Sequence, residues 1–195
     1  MQQKIRILGI SGSARSASLN TKLLHALSIL APGDVEIEVL EGLESLPFYN
    51  EDFEGENLPL SVVELRKKVG AADGVIISSP EYNYSFSALT KNTIDWLSRP
   101  YAKGVLSDMP VAIIGASPGV LGTVRSQNQL RQVLHATNSK VLSRPEVYIG
   151  GAHAKFDADG AFTEETGRQM LIEFIDGLVA LIEQTRGNQT SELAS

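Results

Sequence analysis

The chain of 195 residues has no cysteine, which removes disulfides, thiol nucleophiles and every Cys-ligated metal site. Histidine is scarce: His25, His135 and His153 have no partner at ligand spacing, so no metal site is expected. No segment approaches the ~18 uninterrupted apolar residues of a membrane span, and the start, MQQKIRILGI, has too short an apolar stretch for a secretory leader. A cytoplasmic protein is expected. Basic residues are outnumbered, 17 Lys plus Arg against 23 Asp plus Glu, and the net charge of −6 argues against nucleic acid or an anionic membrane as partner. The only basic run, Arg66-Lys67-Lys68, reads as one solvated turn of helix. Also absent are the lysine-bearing loop G-x-x-x-x-G-K-[ST] and the dinucleotide fingerprint G-x-G-x-x-G. Asn188-Gln189-Thr190 matches a glycosylation sequon, but in a polar tail with no leader it carries no weight.

What is present is an alternation of short β-branched runs with longer helical patterns, the mark of an α/β protein with a parallel sheet. Apolar residues make up 43% of the chain, enough for a sizeable core. Strands are expected at Lys4–Ile10, Val35–Leu40, Asp73–Ser78, Pro110–Ala116 and Lys140–Ile149. Between them the pattern predicts helices from Ser18 to Leu30, from a capping box at Ser61-Val62-Val63-Glu64 to Val69, from about Phe86 to a stop at Pro100, and from Arg125 to Ala136. Asp157–Gly160 reads as a turn, and a last helix capped by Thr163 buries Leu171, Phe174, Ile175, Leu178 and Ile182. Glu41 to Leu60, with six acids and no base, reads as a long exposed loop of the kind that is usually functional. One domain over residues 1–186 is expected, with 187–195 as a disordered tail. Five such strands suit a doubly wound sheet of order 2-1-3-4-5 with helices on both faces, which binds ligands at the carboxyl ends of its strands.

The three unusual loops, 11–20, 78–85 and 115–122, follow strands that this order makes neighbours. In the first, Ser11, Gly12, Ser13, Ser16 and Ser18 crowd hydroxyls and amides beside Arg15 where a helix begins. Unpaired helix-start amides and the helix dipole favour an anion, so the loop reads as a monophosphate cradle; a serine-rich turn without a ligand is the alternative. In the second, Tyr82, Asn83 and Tyr84 suit a planar heteroaromatic with a polar edge, or else merely cover the end of the sheet. A ribityl monophosphate bearing an isoalloxazine ring would reach from one loop to the other. The helix from Arg125 to Ala136 carries too many polar residues for a purely core-facing role. It is a candidate subunit interface, with Arg125 and Glu146 as charge partners, or a solvated surface helix.

Gly12-Ser13-Ala14-Arg15 with Ser18 and Asn20, Pro80-Glu81-Tyr82-Asn83-Tyr84-Ser85, Lys91-Asn92 with Ile94-Asp95-Trp96-Leu97-Ser98-Arg99, and Ser117 with Gly119 resemble the NADPH-dependent FMN reductase family. The likeness is greatest to the bacterial quinone and chromate reductases. It implies a flavodoxin-like fold, FMN as cofactor, NAD(P)H as co-substrate, and a homodimer or homotetramer. Hydride would pass through FMN to quinones, flavins, azo compounds or chromate by a ping-pong mechanism. Carried over by residue, Ser13, Arg15, Ser18 and Asn20 hold the FMN phosphate, with Leu19 among the binding positions. Pro80, Glu81, Tyr82, Asn83 and Tyr84 line the ring, and Ser117 with Gly119 closes the third side. No residue takes a catalytic role, since N5 of FMN carries the chemistry. The sequence departs from the family at Ser87, Ala88 and Thr90, where proline, glycine and leucine are common. Two other functions use the same cradle: a flavodoxin-type electron carrier, and an FMN-sensing regulatory protein that binds a partner through the acidic 41–60 loop.

Overall fold

The computed structural model describes residues 4–157 and 159–193. The first strand, β1 (Ile5–Ser11), is buried at every position but one, as a strand covered on both faces must be. Helix α1 (Leu19–Leu30) follows, then β2 (Val35–Leu40), whose alternating burial marks an edge strand. Next come α2 (Leu60–Gly70), the fully buried β3 (Gly74–Ser78), and a two-stranded hairpin of β4 (Glu81–Tyr82) and β5 (Ser85–Phe86). Helix α3 (Ala88–Leu97), the buried β6 (Pro110–Ala116), α4 (Val124–Ala136), β7 (Lys140–Val141), β8 (Val147–Ile149) and α5 (Glu165–Leu193) complete the chain.

The sheet runs β2-β1-β3-β6-β7 with every pairing parallel, which is the order expected from the sequence. Its fifth strand, however, is two pieces. β7 pairs with the start of β6 (Pro110 opposite Lys140) and β8 with its end (Ala116 opposite Ile149). Pro145 has no N–H to give the ladder, so the chain leaves the sheet between them.

Each face of the sheet has its own core. Leu23 and Leu27 of α1 with Phe174 and Leu178 of α5 cover one side. Leu65 and Val69 of α2, Ile94 and Leu97 of α3, and Leu130 and Leu134 of α4 cover the other. Full burial of one such side chain contributes about 1.5–3 kcal/mol, so the sheet is a firm platform for the loops at its end.

Helix starts differ from the sequence pattern in two places. At α2 the capping box does not form: the N–H groups of Val62 and Val63 bond the Pro59 carbonyl, and Ser61 lies inside the helix. The Thr163 hydroxyl does not cap α5 either, but donates to the Lys155 carbonyl. α5 continues to Leu193 where the sequence reads as a disordered tail, because no proline interrupts it and Gly187 alone does not stop a helix. Residues 194 and 195 of that tail lie outside the described residues.

The acidic 41–60 segment is pinned rather than loose. Asn92 Nδ2 and Trp96 Nε1 donate to the Pro47 carbonyl at 3.0 and 2.8 Å, and Asn92 Oδ1 accepts from the Tyr49 N–H at 2.8 Å. Tyr49 donates its hydroxyl to Glu54 at 2.6 Å, and that bond pushes the phenol pKa up. Helix α3 thus spends its polar side on this segment, which explains a fully buried Trp96 beside buried Asn92.

Candidate functional site

The cleft is built where β1, β3 and β6 end. The Gly12 N–H donates to the Ser78 carbonyl at 2.8 Å, carrying the β1–β3 ladder into the first loop. Ser18 then caps α1, its Oγ accepting from the Thr21 N–H at 3.1 Å, which leaves the Ser18 O–H free to donate. The N–H groups of Leu19 and Asn20 stand at the helix start, beyond the reach of intrahelical acceptors. Arg15 is exposed at the rim, and among the described residues its guanidinium has no carboxylate partner. Two helix-start amides, a hydroxyl and a guanidinium form a donor set that fits a phosphate dianion.

The Asn20 side chain, at a position expected to hold phosphate, is engaged with the protein's own backbone. Its Oδ1 accepts from the Ala116 N–H and the Ser78 hydroxyl, each at 3.0 Å, and its Nδ2 donates to the Ala116 carbonyl at 3.1 Å. The buried amide therefore joins the ends of β3 and β6, and its backbone N–H and second Nδ2 hydrogen remain for a ligand.

In the second loop, Asn83 and Tyr84 both have positive φ, 51° and 68°, between the paired residues Tyr82 and Ser85. Two-residue hairpins favour this conformation, and asparagine adopts it readily, but tyrosine does so at a cost of about 1–3 kcal/mol. Helix α4 holds it there. Gln129 Nε2 donates to the Tyr84 carbonyl at 2.8 Å, the Ser85 hydroxyl donates to Gln129 Oε1 at 2.7 Å, and the Arg125 guanidinium lies 4.3 Å from the Tyr84 ring centre. Glu81 does not face a ligand with its carboxylate. It caps α4, accepting from the N–H groups of Arg125 and Ser126 at 3.0 and 3.2 Å, and pairs with the Arg125 guanidinium at 3.4 Å.

The polarity of α4 is thus largely spent inside the chain. Gln127 Nε2 reaches the Val147 carbonyl, and Arg131 holds the Leu142 carbonyl and Glu146. Arg125 and Glu146, expected as partners across subunits, each have a partner in their own chain.

In the third loop the Ser117 Oγ accepts from the Gly119 N–H at 3.0 Å, and the Gly119 carbonyl accepts from the Gly151 N–H at 3.1 Å, which fastens the loop to the turn after β8. Gly115 must be glycine, since a Cβ there would overlap Thr123 Oγ1 and press on the Ser79 carbonyl at 2.7 Å.

Nine of the twelve residues expected at the site line one cleft of about 210 Å³. Ser13, Arg15, Ser18, Leu19 and Asn20 bound it on one side, Pro80, Glu81 and Tyr82 on another, and Ser117 on the third. Asn83, Tyr84 and Gly119 are not in its lining. Ala116 and Pro118 are, and sequence reasoning missed them; their position beside Ser117 at a strand end was the available signal. Tyr82 is half exposed and Val120 is 91% exposed, so the second and third loops present apolar groups to solvent. The three histidines are exposed, Asp95 pairs with Lys91 at 2.6 Å, and no group of three potential metal ligands occurs among the described residues.

A doubly wound sheet with anion donors, a tyrosine and a serine gathered from three loops at its switch point defines a flavodoxin-like protein with a ligand cleft. The chain belongs to the NADPH-dependent FMN reductase family, whose pattern matches residues 5–154. It is 38% identical over 187 residues to an NAD(P)H-dependent FMN reductase of Pseudomonas aeruginosa, covering 96% of this chain and 100% of that one. It is 35% identical to a 2-hydroxy-1,4-benzoquinone reductase of a Burkholderia species, over 93% of this chain and 98% of the relative. Among solved structures it is similar to the flavoenzyme NAD(P)H:acceptor oxidoreductase FerB of Paracoccus denitrificans, with a TM-score of 0.85 and 36% identity over 93% of this chain and 98% of the other.

Proposed function

We propose that the protein is an FMN-dependent oxidoreductase that takes hydride from NAD(P)H and delivers it to quinone-class acceptors. The observation that carries this is the convergence of Arg15, Ser18 and the α1 amides with Pro80, Glu81, Tyr82 and Ser117 around one cleft. When bound, FMN supplies two-electron chemistry in two half-reactions, one with each substrate. The chain's own part is to bind and orient. Arg15, the Ser18 hydroxyl and the N–H groups of Leu19 and Asn20 hold the phosphate, while the Pro80-Glu81-Tyr82 backbone, stiffened by α4, carries the ring. The half-exposed Tyr82 leaves the mouth open to a second flat molecule, which supports alternating use of one face by NAD(P)H and acceptor, a ping-pong scheme.

The purified protein is expected to show flavin absorbance and to bleach on anaerobic mixing with NADPH, then regain colour when a quinone is added. A flavin that stays yellow with both NADPH and NADH would favour a flavodoxin-type carrier, and a colourless protein that cannot be reconstituted with FMN overturns the proposal. Arg15→Ala removes an exposed cationic partner of the phosphate, so FMN affinity should fall about tenfold, or about 1.4 kcal/mol. Titration by flavin fluorescence checks it, and unchanged affinity removes Arg15 from the site. The same proposal includes assembly as a homodimer or homotetramer in the cytoplasm. Its support is the family resemblance together with the absence, among the described residues, of any helix long and apolar enough to cross a membrane. Sedimentation at micromolar concentration tests the assembly.

A further inference from the structure

Ser87 and Thr90, at the start of α3, meet in a buried cluster beneath the first loop. Ser87 is 6% exposed, Thr90 1% and Ser79 fully buried. The Ser87 hydroxyl donates to the Gly12 carbonyl at 2.6 Å, while its Oγ accepts from the Thr90 N–H at 3.1 Å as the cap of α3. Thr90 Oγ1 donates to Ser79 Oγ at 3.0 Å, and Ser79 in turn reaches the Pro80 carbonyl. One chain of hydroxyls thus touches the first loop at Gly12 and the second at Pro80. A residue without a hydroxyl at position 87 could make no such bond.

The contact at Gly12 has a geometric consequence. A peptide unit is planar and trans, so its N–H and C=O point in opposite directions. With the Gly12 carbonyl tied inward to Ser87, the Ser13 N–H is turned away from the cluster, and Ser13 lies in the lining of the cleft. That N–H has only a long bond to Ser11 Oγ, 3.4 Å, which an anion can replace.

We propose that Ser87 is a positioning residue for the cofactor phosphate: its hydrogen bond fixes the Gly12–Ser13 peptide with the Ser13 N–H presented to the anion, and couples the phosphate loop to the helix that follows the ring loop. The inference rests on the FMN reading and specifies which part of the site Ser87 serves. It predicts an effect confined to the phosphate end. Ser87→Ala should lower FMN affinity about fivefold while leaving riboflavin affinity unchanged, because riboflavin lacks the phosphate. Ser87→Thr, which keeps the hydroxyl, should restore the FMN value. Thr90→Val, which keeps the shape but frees the cluster, should lower FMN affinity about twofold, again without effect on riboflavin, and stands in if Ser87→Ala does not fold. A general loosening of α3 would weaken both flavins alike, and an unaltered ratio of FMN to riboflavin affinity in the folded variants overturns the proposal. A wild-type protein that binds neither flavin overturns the cofactor reading, and this inference with it.

Discussion

Replacing Gly12 with alanine is expected to lower FMN affinity by about a hundredfold or more. An added Cβ at this position would overlap Thr90 Oγ1 and come within 3.1 Å of Ser79 Oγ and Pro80 Cδ. Thr90 is buried on α3 and the same Cβ also presses on Ser79 and Pro80, so turning the threonine hydroxyl does not clear the site and the loop itself must move. Moving it takes the Ser13 N–H and Arg15 out of register together. Each bond to a charged phosphate is worth about 1.5–3 kcal/mol, and losing two of them gives the stated factor. The cause is separable by a double variant. Gly12→Ala combined with Thr90→Ala relieves the overlap and should recover at least part of the affinity, a positive coupling in a mutant cycle. Equal losses in the single and double variants would show that the crowding against Thr90 is not responsible, and an alanine variant that keeps its FMN would mean the loop is no phosphate cradle.

How much of this was legible in the residues follows from where the information sits. The buried strands announced themselves as apolar runs, DGVIIS and PVAIIGA above all, and their order followed from the alternation with helices. That order placed the three odd loops side by side and pointed to Ser13, Arg15, Ser18 and Tyr82, while Leu19, Asn20, Pro80, Glu81 and Ser117 of the cleft lining came from the family resemblance. What escaped were choices of partner. Glu81 capping α4, Gln129 clamping the Tyr84 carbonyl and Asn92 holding the acidic segment all join residues more than forty positions apart. Nothing local encodes such pairs. The polar stripe of α4 was visible, but a stripe that clamps a neighbouring loop and one that meets a second subunit have the same composition. The break between β7 and β8 was marked by Pro145, yet β-branched residues on both sides read as one strand.

Asn20 is a residue found by its motif whose side-chain bonds to Ala116 and Ser78 the motif did not reveal, and it yields the second large effect. Asn20→Ala should destabilise the cofactor-free protein by about 2–4 kcal/mol. The substitution strands the Ala116 N–H, the Ala116 carbonyl and the Ser78 hydroxyl, all in buried surroundings, and an unpaired buried polar group costs about 1–3 kcal/mol. Partial repair by the Ser78 hydroxyl turning to another acceptor keeps the sum below three full penalties. Urea unfolding of the apoprotein measures it, and the thermal midpoint should drop by about 2–4 °C for each kcal/mol in a chain of this size. Asn20→Asp does not repair the loss: a carboxylate can accept from the Ala116 N–H and from Ser78, but it has no proton for the Ala116 carbonyl and brings a charge into a buried site. A residue that served only to hold phosphate with its side chain would behave in the opposite way, leaving apoprotein stability untouched while FMN affinity fell. The apoprotein measurement therefore decides whether the asparagine side chain of the Ser18-Leu19-Asn20 segment serves only the ligand or is the stitch that holds the β3 and β6 ends of the cleft at a fixed separation.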